Sequence, residues 1–166
     1  LRMPFYFLIY SMLELEKTYL IKDIPSWLCS LPYKDLLDIY VPLESDHAHL
    51  RIRKHGEKMV IMKKELTRPG DLSSMEETVI PLTAQEFAVF QGIPGKRIHK
   101  HRYYLPYQWL TIEIDVFQDE LLWLIMADVE FPNEATKQSF LMPDFFFCLV
   151  TQEVRFAWWL LCGKKY

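Results

Sequence analysis

LELEKTYLIK, which spans Leu13–Lys22, is the stretch of sequence that decides the fold. Its polar residues Glu14, Glu16 and Thr18 alternate with apolar residues such as Leu15. Residues two apart in a β-strand point to the same face of the sheet, so a strand here sets two carboxylates side by side. An ordinary barrel or sandwich turns apolar side chains inward. The segment therefore raises the question of which face of its sheet is the inner one.

The same two-residue spacing recurs along the chain, inside apolar runs such as LRIRK, LTIEIDVF and IMADVEF. The pairs are Glu14/Glu16, Arg51/Arg53, Met62/Lys64, Met75/Glu77, Lys100/Arg102, Glu113/Asp115 and Asp128/Glu130. Any one pair fits the solvent face of a one-sided sheet. The whole set fits less well, because strands that expose one sign of charge repel one another unless something lies between them. We interpret the pairs as the lining of a closed sheet with a polar interior.

The composition indicates one globular domain. A chain of 166 residues is long enough to bury a core, and 51% hydrophobic residues with 25% charged residues argue against disorder. The net charge of −3 argues against a general nucleic-acid binder, so we expect no nucleic-acid duplex as a partner. Cys29, Cys148 and Cys162 form no CxxC pair, which fits a reducing cytoplasm and no structural zinc site.

The domain is expected to span residues 12–166. We interpret residues 1–11 as a non-native or upstream leader segment before a natural start at Met12 or Met3. The apolar run in this segment is too short to span a bilayer, and Pro4 interrupts it. It also lacks the cleavage site of a signal peptide. The sequence therefore predicts a cytoplasmic protein with no membrane partner, and it defines no oligomeric state.

Strand signals dominate the chain. The predicted strands are Leu13–Lys22, Leu36–Val41, Leu50–His55, Lys58–Lys64, Met75–Pro81, Ile98–Leu105, Trp109–Phe117 and Leu121–Phe131. Short helical segments are predicted after Thr83, Asn133 and Thr151, the first with Glu86 at the spacing of a capping box. This order predicts an α+β protein, an eight-stranded antiparallel β-barrel tunnel with a polar interior and a few short flanking helices.

The predicted interior contains the groups that a metal-assisted phosphate site needs. Mg²⁺ and Mn²⁺ prefer carboxylate oxygens and keep waters and phosphates as further ligands, and Glu14, Glu16 and Glu130 would supply the oxygens. Arginine binds phosphate through paired hydrogen bonds and lysine through a point charge. The predicted phosphate-binding residues are Arg51, Arg53, Lys64, Lys100 and Arg102. No P-loop, GxSxG or HExxH motif is present, and phosphoryl transfer needs mainly positioning and charge neutralisation.

Two histidine pairs are further candidates for transition-metal binding. They lie in the segments Asp46-His47-Ala48-His49 and His99-Lys100-His101. We favour a simpler interpretation, in which the first segment is a polar loop and the second presents its histidines on an outward strand face.

The order of these segments resembles that of the CYTH domain, or triphosphate tunnel metalloenzyme, superfamily from Met12 to Tyr166. ELEKTYLIK is similar to its ExExK strand, LRIRK to its paired-arginine strand and MVIMKK to the strand with its TxK lysine. EETVIPLTAQEF resembles its glutamate strand and following helix, and IHKHRYYL its KxRY segment. IEIDVF, ADVEF and PDFFFCLVTQEVRF are similar to its ExD strand, its ExEF strand and its closing P…VT segment. The shared order is more specific than any one segment.

The resemblance implies divalent-metal-dependent chemistry on triphosphates inside a tunnel. The metal ligands and phosphate contacts named above keep those roles. Glu77, Glu113 and Asp115 are implied to bind a second metal ion or to orient the attacking water. Hydrolysis of inorganic tripolyphosphate, a small-molecule substrate, is the expected function. The alternatives are a class IV-type adenylate cyclase, a thiamine triphosphatase, or a non-catalytic module that binds polyphosphate or nucleotides.

Four positions depart from the superfamily pattern, of which Asp128 is a conservative replacement of a glutamate. Thr18 stands where ExExK has its lysine; Lys17 is one residue off and faces outward, whereas Lys22 has the inward phase and would partly substitute. Met62 stands where a threonine is usual, and Met75 where a glutamate is common. A bacterial branch of the superfamily opens with EKTYL, so Thr18 is expected to be a trait of that branch.

The tryptophans form a further departure, since that branch has glycine at all five of their positions. They are Trp27, Trp109, Trp123, Trp158 and Trp159. Trp109 and Trp123 fall at turn-like positions, where the tolerance of glycine for positive φ is useful. One hypothesis is a gene from a bacterium that reads UGA as glycine, translated with UGA as tryptophan. UGG codons at these positions would contradict it and leave a genuinely tryptophan-rich variant.

Overall fold

The structure, a computed structural model, describes residues 10–45 and 50–161, and for residues 10, 11, 158 and 159 it describes the backbone alone. The strands are β1 (Tyr10–Ile21), β2 (Tyr33–Val41), β3 (Leu50–His55), β4 (Lys58–Leu66), β5 (Ser74–Pro81), β6 (Lys96–Tyr107), β7 (Leu110–Phe117), β8 (Ile125–Glu130) and β9 (Phe146–Leu149). The helices are α1 (Ala84–Phe90), α2 (Glu134–Ser139) and α3 (Trp158–Leu161). Within the described ranges, no helix is long and apolar enough to cross a membrane.

Eight antiparallel strands close into a barrel in the order β1-β5-β4-β3-β2-β6-β7-β8. Closure depends on β1, which is long enough to pair in two places. Its residues 10–15 lie against β5, and its residues 16–20 lie against β8. The predicted α+β fold with an eight-stranded antiparallel barrel is confirmed.

Some predictions concern residues at the limits of the described ranges. β1 begins at Tyr10, so Tyr10 and Ser11 of the expected leader segment pair with β5. Residues 1–9 and the candidate metal loop at residues 46–49 lie outside the described residues. The domain boundary at residue 12 therefore stays a prediction.

Three local predictions were wrong. β9 was not predicted because its sequence, FFCL, shows no alternation of polar and apolar residues; it pairs with the end of β1. The predicted strand Leu121–Phe131 begins too early, since a 3₁₀ turn at Asp119–Leu121 precedes β8. The helical turn predicted through Phe156 is present as a 3₁₀ turn at Val154–Phe156, but Thr151 does not cap it; its Oγ1 accepts a hydrogen bond from the Thr18 N–H at 2.9 Å, which holds the chain after β9 against β1.

The other two predicted helix starts are confirmed. Thr83 Oγ1 accepts the Glu86 N–H at 3.2 Å, and the Glu86 carboxylate accepts the Thr83 N–H at 2.7 Å, which completes a capping box. Asn133 accepts the Thr136 N–H at 2.9 Å at the start of α2. α1 packs against β4, and α2 packs against β1. Both helices therefore cover strands of the barrel rather than separate them.

The main apolar core lies outside the barrel, because polar and apolar residues alternate along its strands. In β7, Ile112, Ile114 and Val116 belong to the apolar cluster formed with β1, β8 and β9. The alternate residues of the same strand, Glu113 and Asp115, contact charged residues of β6. The strand thus presents one apolar face to the core and one charged face to the barrel interior.

One end of the barrel interior is apolar rather than charged. Ile98, Phe117 and Met126 occupy the next inward-facing positions beyond the charged residues of β6, β7 and β8, and they pack in one buried cluster. Val150 and Leu161, which follow β9 in the chain, join the same cluster. The polar part of the interior is therefore bounded at this end by packed apolar side chains.

The tryptophans with described side chains, Trp27, Trp109 and Trp123, lie on the surface with 40%, 63% and 56% of their area exposed. Trp109 and Trp123 lie in turns, as predicted. In the turn between β6 and β7 the positive φ, 54°, belongs to Gln108 and not to Trp109. The backbone at position 109 thus does not itself require glycine, and the codons remain the test of that hypothesis.

Gly95→Ala is expected to lower the free energy of unfolding by about 1–3 kcal/mol. A Cβ at this position would lie 2.7 Å from the Tyr40 carbonyl oxygen and 2.8 Å from Ile39 Cγ2, so the start of β6 would have to move away from β2. Gly92→Ala is the matched control, because its Cβ would meet the Val89 carbonyl oxygen at 3.6 Å, an ordinary contact. Urea denaturation compares the two variants, and equal midpoints would contradict the close approach.

Candidate active site

A cavity of about 160 Å³ lies inside the barrel and is lined almost entirely by charged side chains. The lining residues are Glu14, Glu16, Arg51, Arg53, His55, Met62, Lys64, Glu77, Arg102, Glu113, Asp128 and Glu130. We call this the charged cavity. All the site residues predicted from the sequence line it except Lys100 and Asp115. The alternating pairs of separate strands are therefore brought together around one space.

The predicted metal ligands meet where β1 pairs with β8. Glu16 lies opposite Glu130 in the register of these strands, and Glu14 is two residues before Glu16 on the same face. Lys64 of β4 reaches this group. Its ammonium contacts the Glu14 carboxylate and lies 3.8 Å from oxygens of both Glu16 and Glu77. The Lys64 ammonium therefore lies among the carboxylates of Glu14, Glu16 and Glu77 and offsets their mutual repulsion.

The two arginines of β3 are held in different ways. Arg53 makes a two-pronged ion pair with the fully buried Asp38 of β2, at 2.6 and 2.7 Å. Burial would raise the pKa of Asp38, but Arg53 holds it well below its usual range. Arg51 donates to Glu77 at 3.3 Å, and its buried Nε has no hydrogen-bond partner among the described residues. Arg51 therefore has donor capacity left for an anion in the charged cavity.

Lys100, Asp115 and Arg102 form a buried ion-pair layer between the charged cavity and the apolar end of the barrel. The Asp115 carboxylate accepts from Lys100 Nζ at 2.5 Å and from Arg102 Nε and Nη2 at 2.7 and 2.6 Å. Burial would raise the pKa of Asp115, but Arg102 and Lys100 lower it to about 2. Burial lowers the pKa of Lys100 to about 8 against the opposing charge of Asp115. Only Arg102 of the three lines the cavity, where it also contacts Glu113.

Sequence reasoning missed three residues of this site. Asp38 lies in the apolar run of β2, and only the pairing of β2 with β3, which sets it opposite Arg53, reveals its partner. His55 continues the inward phase of the β3 arginines, a signal that its position at a hairpin turn obscured. Its Nε2 lies 2.6 Å from the Tyr104 hydroxyl, and burial together with Arg102 lowers the pKa of the imidazole to about 4. Asp128 was recognised as one of the alternating pairs but was given no role.

The departures from the superfamily pattern have distinct outcomes. Thr18 faces Asp128 and donates a hydrogen bond to it at 2.8 Å. Lys17 points outward, as predicted, and donates to the Lys137 carbonyl oxygen at 2.6 Å. The expectation that Lys22 substitutes for the missing lysine was wrong, because Lys22 follows the end of β1 and is exposed. Met62 lines the charged cavity.

The acidic side of the cavity fits a divalent cation. Burial raises the pKa of Glu77 to about 7. Burial and the nearby Glu16 raise the pKa of Asp128 to about 7, and burial with Glu113 does the same for Glu130. Like charges this close resist ionisation unless a cation lies among them. All of these donors are carboxylate oxygens, which hard divalent ions prefer.

The stability of the metal-free protein is expected to fall by about 1 kcal/mol between about pH 6.5 and 7.5. Glu77 and Asp128 have folded-state pKa values raised to about 7, so the folded chain holds protons that the unfolded chain has already released, and this stabilisation is lost as the pH rises. Glu130 is exposed, so solvent screens its contribution. His55, with its pKa lowered to about 4, acts in the opposite direction, but mainly below this window.

Urea denaturation in EDTA measures this slope, and the same titration with excess Mg²⁺ should flatten it, because a bound cation favours the ionised carboxylates. Glu77→Gln should remove part of the slope without metal. A metal-free stability that rises across this pH window would contradict the burial of these two acids beside like charges.

The fold and the site define a closed antiparallel barrel with a charged interior, in which carboxylates face arginines and lysines. The sequence is 33% identical over 149 residues to an inorganic triphosphatase of Nitrosomonas europaea, covering 87% of this chain and 93% of that one. The chain therefore belongs to the inorganic triphosphatase family. No family model matches the sequence.

Solved structures show the same barrel. The crystal structure of an inorganic triphosphatase superposes with a TM-score of 0.64 at 25% identity, covering 91% of this chain and 95% of the other. A conserved hypothetical protein from Pyrococcus furiosus superposes with a TM-score of 0.56 at 19% identity, covering 76% and 83%. At that identity the second match concerns the fold alone.

Proposed function

We propose that this chain is a divalent-metal-dependent hydrolase of triphosphate substrates, with inorganic tripolyphosphate as the preferred one. The observation that carries the proposal is the charged cavity of about 160 Å³. Its lining brings Glu14, Glu16 and Glu130 together with the basic residues of β3, β4 and β6. The arrangement suits a small polyanion bound together with a cation. Membership of a family named for triphosphate hydrolysis supports the same conclusion.

Glu14, Glu16 and Glu130 would hold the divalent ion, Mg²⁺ or Mn²⁺, which when bound neutralises the charge of phosphate oxygens. Lys64 occupies this place in the structure, with its ammonium on Glu14. Once the carboxylates are neutralised, Lys64 is free to exchange that contact for a phosphoryl oxygen. The lysine then moves from the acidic side of the cavity to the phosphate side.

The phosphate chain would be held by Arg51, Arg53 and Arg102 with Lys64. Arginine presents a planar pair of donors that matches two phosphate oxygens, and the unpartnered Nε of Arg51 is such a donor. Arg53 is oriented by Asp38 and Arg102 by Asp115, so neither guanidinium has to be ordered when substrate binds. These fixed charges would stabilise the charge that develops on the leaving pyrophosphate.

Two of the three predicted water-orienting carboxylates, Glu77 and Glu113, line the charged cavity, and we assign this role to them. Either would accept a hydrogen bond from the attacking water. Asp115 is fully buried behind the cavity and accepts hydrogen bonds from Lys100 and Arg102. We therefore give Asp115 and Lys100 a positioning role, in which they hold Arg102 toward the substrate.

The lining of the charged cavity favours inorganic tripolyphosphate over nucleotides. Among its described residues there is no phenylalanine, tyrosine or tryptophan on which a base or a thiazolium ring would stack. Apart from His55 and Met62, every lining residue is an acid, an arginine or a lysine. A substrate that offers only phosphate oxygens can use the arginines and the lysine of the lining directly, and its carboxylates through a bound cation.

A panel of substrates tests the proposal. Phosphate release is measured from tripolyphosphate, ATP and thiamine triphosphate, each with Mg²⁺ and with Mn²⁺, and cyclic AMP is measured in the ATP reactions. We expect metal-dependent release that is fastest from tripolyphosphate. Cyclic AMP would support a cyclase, fastest release from thiamine triphosphate would support a thiamine triphosphatase, and tight binding without release would support a non-catalytic binder.

The remaining sequence predictions are part of the same proposal. The EKTYL opening supports a place in a bacterial branch of the tunnel superfamily, and residues 12–166 are proposed to form its single domain. The expected location is the cytoplasm, with a small-molecule triphosphate rather than a nucleic-acid duplex or a membrane as partner.

A further inference from the structure

A second cluster of metal-ligating side chains lies on the outer face of the barrel, away from the charged cavity. The register of β2 and β6 sets Asp35 opposite His101, and His99 precedes His101 by two residues on the same face. Asp35 Oδ1 lies 2.7 Å from His99 Nε2 and 3.6 Å from His101 Nε2. The three potential ligand atoms all lie within 4.8 Å of one another.

This spacing suits a small tetrahedral ion. Zinc binds imidazole nitrogen and carboxylate oxygen at about 2.0–2.2 Å, so its tetrahedral ligand atoms lie roughly 3.4 Å apart. The two separations from Asp35 bracket that value, and small rotations of the exposed Asp35 and the partly buried histidines would equalise them. Two imidazoles with one carboxylate also form a donor set that selects zinc-like ions over Mg²⁺, which requires oxygen ligands.

The imidazole ring of His99 lies between two carboxylates. Its Nε2 faces Asp35, while its Nδ1 lies 3.6 Å from the Asp119 carboxylate. A metal-bound histidine commonly donates its other ring N–H to a carboxylate, which fixes the tautomer and the ring. Asp119 lies near this place, although 3.6 Å is longer than a hydrogen bond, and it has a φ of 56°, an uncommon backbone conformation for a residue other than glycine. The His101 ring is fixed separately, since the Tyr33 ring stacks on it with centroids 4.1 Å apart.

We propose that Asp35, His99 and His101 bind a transition-metal ion of the zinc class, with water as the fourth ligand and Asp119 supporting His99. The site is independent of the proposed function and of the metal ligands in the cavity. It joins β2 to β6 and, through Asp119, to the turn after β7. Lys100 lies between the two histidines and faces the opposite side of the sheet, so a bound ion would also stiffen the strand that holds Lys100 and Arg102.

Zinc titration calorimetry on the full chain tests the site, with excess Mg²⁺ present so that oxygen-only sites are occupied. We expect the parent protein to bind one more equivalent of Zn²⁺ than His99→Ala/His101→Ala does. His47→Ala/His49→Ala, which removes the other histidine pair of the sequence, is the matched control and should keep that equivalent. Equal zinc stoichiometry in the parent and the His99→Ala/His101→Ala variant would overturn the proposal, as would loss of the equivalent in the control.

Two further measurements separate ligation from a fold defect. His99→Ala/His101→Ala should hydrolyse tripolyphosphate with Mg²⁺ at the parent rate, and Zn²⁺ should raise the melting temperature of the parent but not of this variant. Asp119→Asn, in which asparagine also tolerates positive φ, should weaken zinc binding by about tenfold. Unchanged zinc affinity in Asp119→Asn would overturn the role of that carboxylate, and an unchanged melting temperature of the parent with Zn²⁺ would overturn the site.

Discussion

Glu16→Gln is expected to lower kcat for tripolyphosphate by about a thousandfold, equivalent to about 4 kcal/mol of transition-state stabilisation. Glutamine keeps the size of the side chain but removes the charge that the proposed metal site needs at the junction of β1 and β8. Glu130 lies directly opposite Glu16 and would not replace it, because both are proposed ligands of the same ion. Steady-state phosphate release at saturating Mg²⁺ measures the effect.

Glu65→Gln is the matched control for Glu16→Gln. Glu65 lies next to Lys64 in β4, and its side chain is 61% exposed beside Lys63 on the outer face of the barrel. This variant should retain the parent activity. A Glu16→Gln protein with the parent melting temperature and undiminished turnover would remove Glu16 from the metal site.

Asp115→Asn is expected to lower the free energy of unfolding by about 3–5 kcal/mol. Asp115 has no exposed surface, and its carboxylate neutralises both the Lys100 ammonium and the Arg102 guanidinium. Asparagine has no charge, so the buried Lys100 ammonium would lose the carboxylate that it contacts, whereas Arg102 keeps Glu113. The midpoint of urea denaturation at constant pH measures the loss.

Glu113→Gln separates this effect from a general weakening of β7. Glu113 contacts the same Arg102 from two residues away, but its side chain is 21% exposed and forms an ion pair with no second cation among the described residues. Its cost in stability should be the smaller by about 2 kcal/mol or more. An Asp115→Asn protein that is as stable as the parent but inactive would instead support a direct role for Asp115 in orienting water.

Much of the fold follows from the period of the sequence. Where charged and apolar residues alternate along a strand, the two faces of the sheet differ in polarity. Strands with opposite signs of charge can place those charges around a shared interior, which favours closure of the sheet. β9 could not be found in this way, because FFCL is apolar on both faces. Its position depends on packing against the end of β1, which only the folded chain defines.

The sequence predicts which residues the site contains but not how they are placed in space. Phase along a strand identifies which side chains point inward, and it correctly assembled Glu14, Arg51 and Glu77 around one cavity. Alternation along a strand does not tell how far along the barrel axis a side chain lies. Asp115 therefore could not be distinguished from Glu113, although Asp115 is enclosed and Glu113 lines the cavity. Depth depends on strand register and on the tilt of the barrel strands.

The partners of the site residues also depend on register. Asp38 was missed because its charge is recognisable as functional only when β2 is set beside Arg53 of β3. The prediction for Lys22 was wrong for a related reason. Its position in the alternation indicates an inward side chain only within a strand, and β1 ends at Ile21. In both cases the missing information is a contact between distant parts of the chain.

Phosphorus-31 nuclear magnetic resonance of tripolyphosphate mixed with the purified protein and Mg²⁺ tests the central claim most directly. Hydrolysis of one anhydride bond by water converts each tripolyphosphate into one pyrophosphate and one orthophosphate. We expect these two signals to grow in equal amounts as the tripolyphosphate signals disappear, and EDTA to stop the reaction. Broadened tripolyphosphate signals that never convert, with or without metal, would contradict the hydrolase and leave a binding protein.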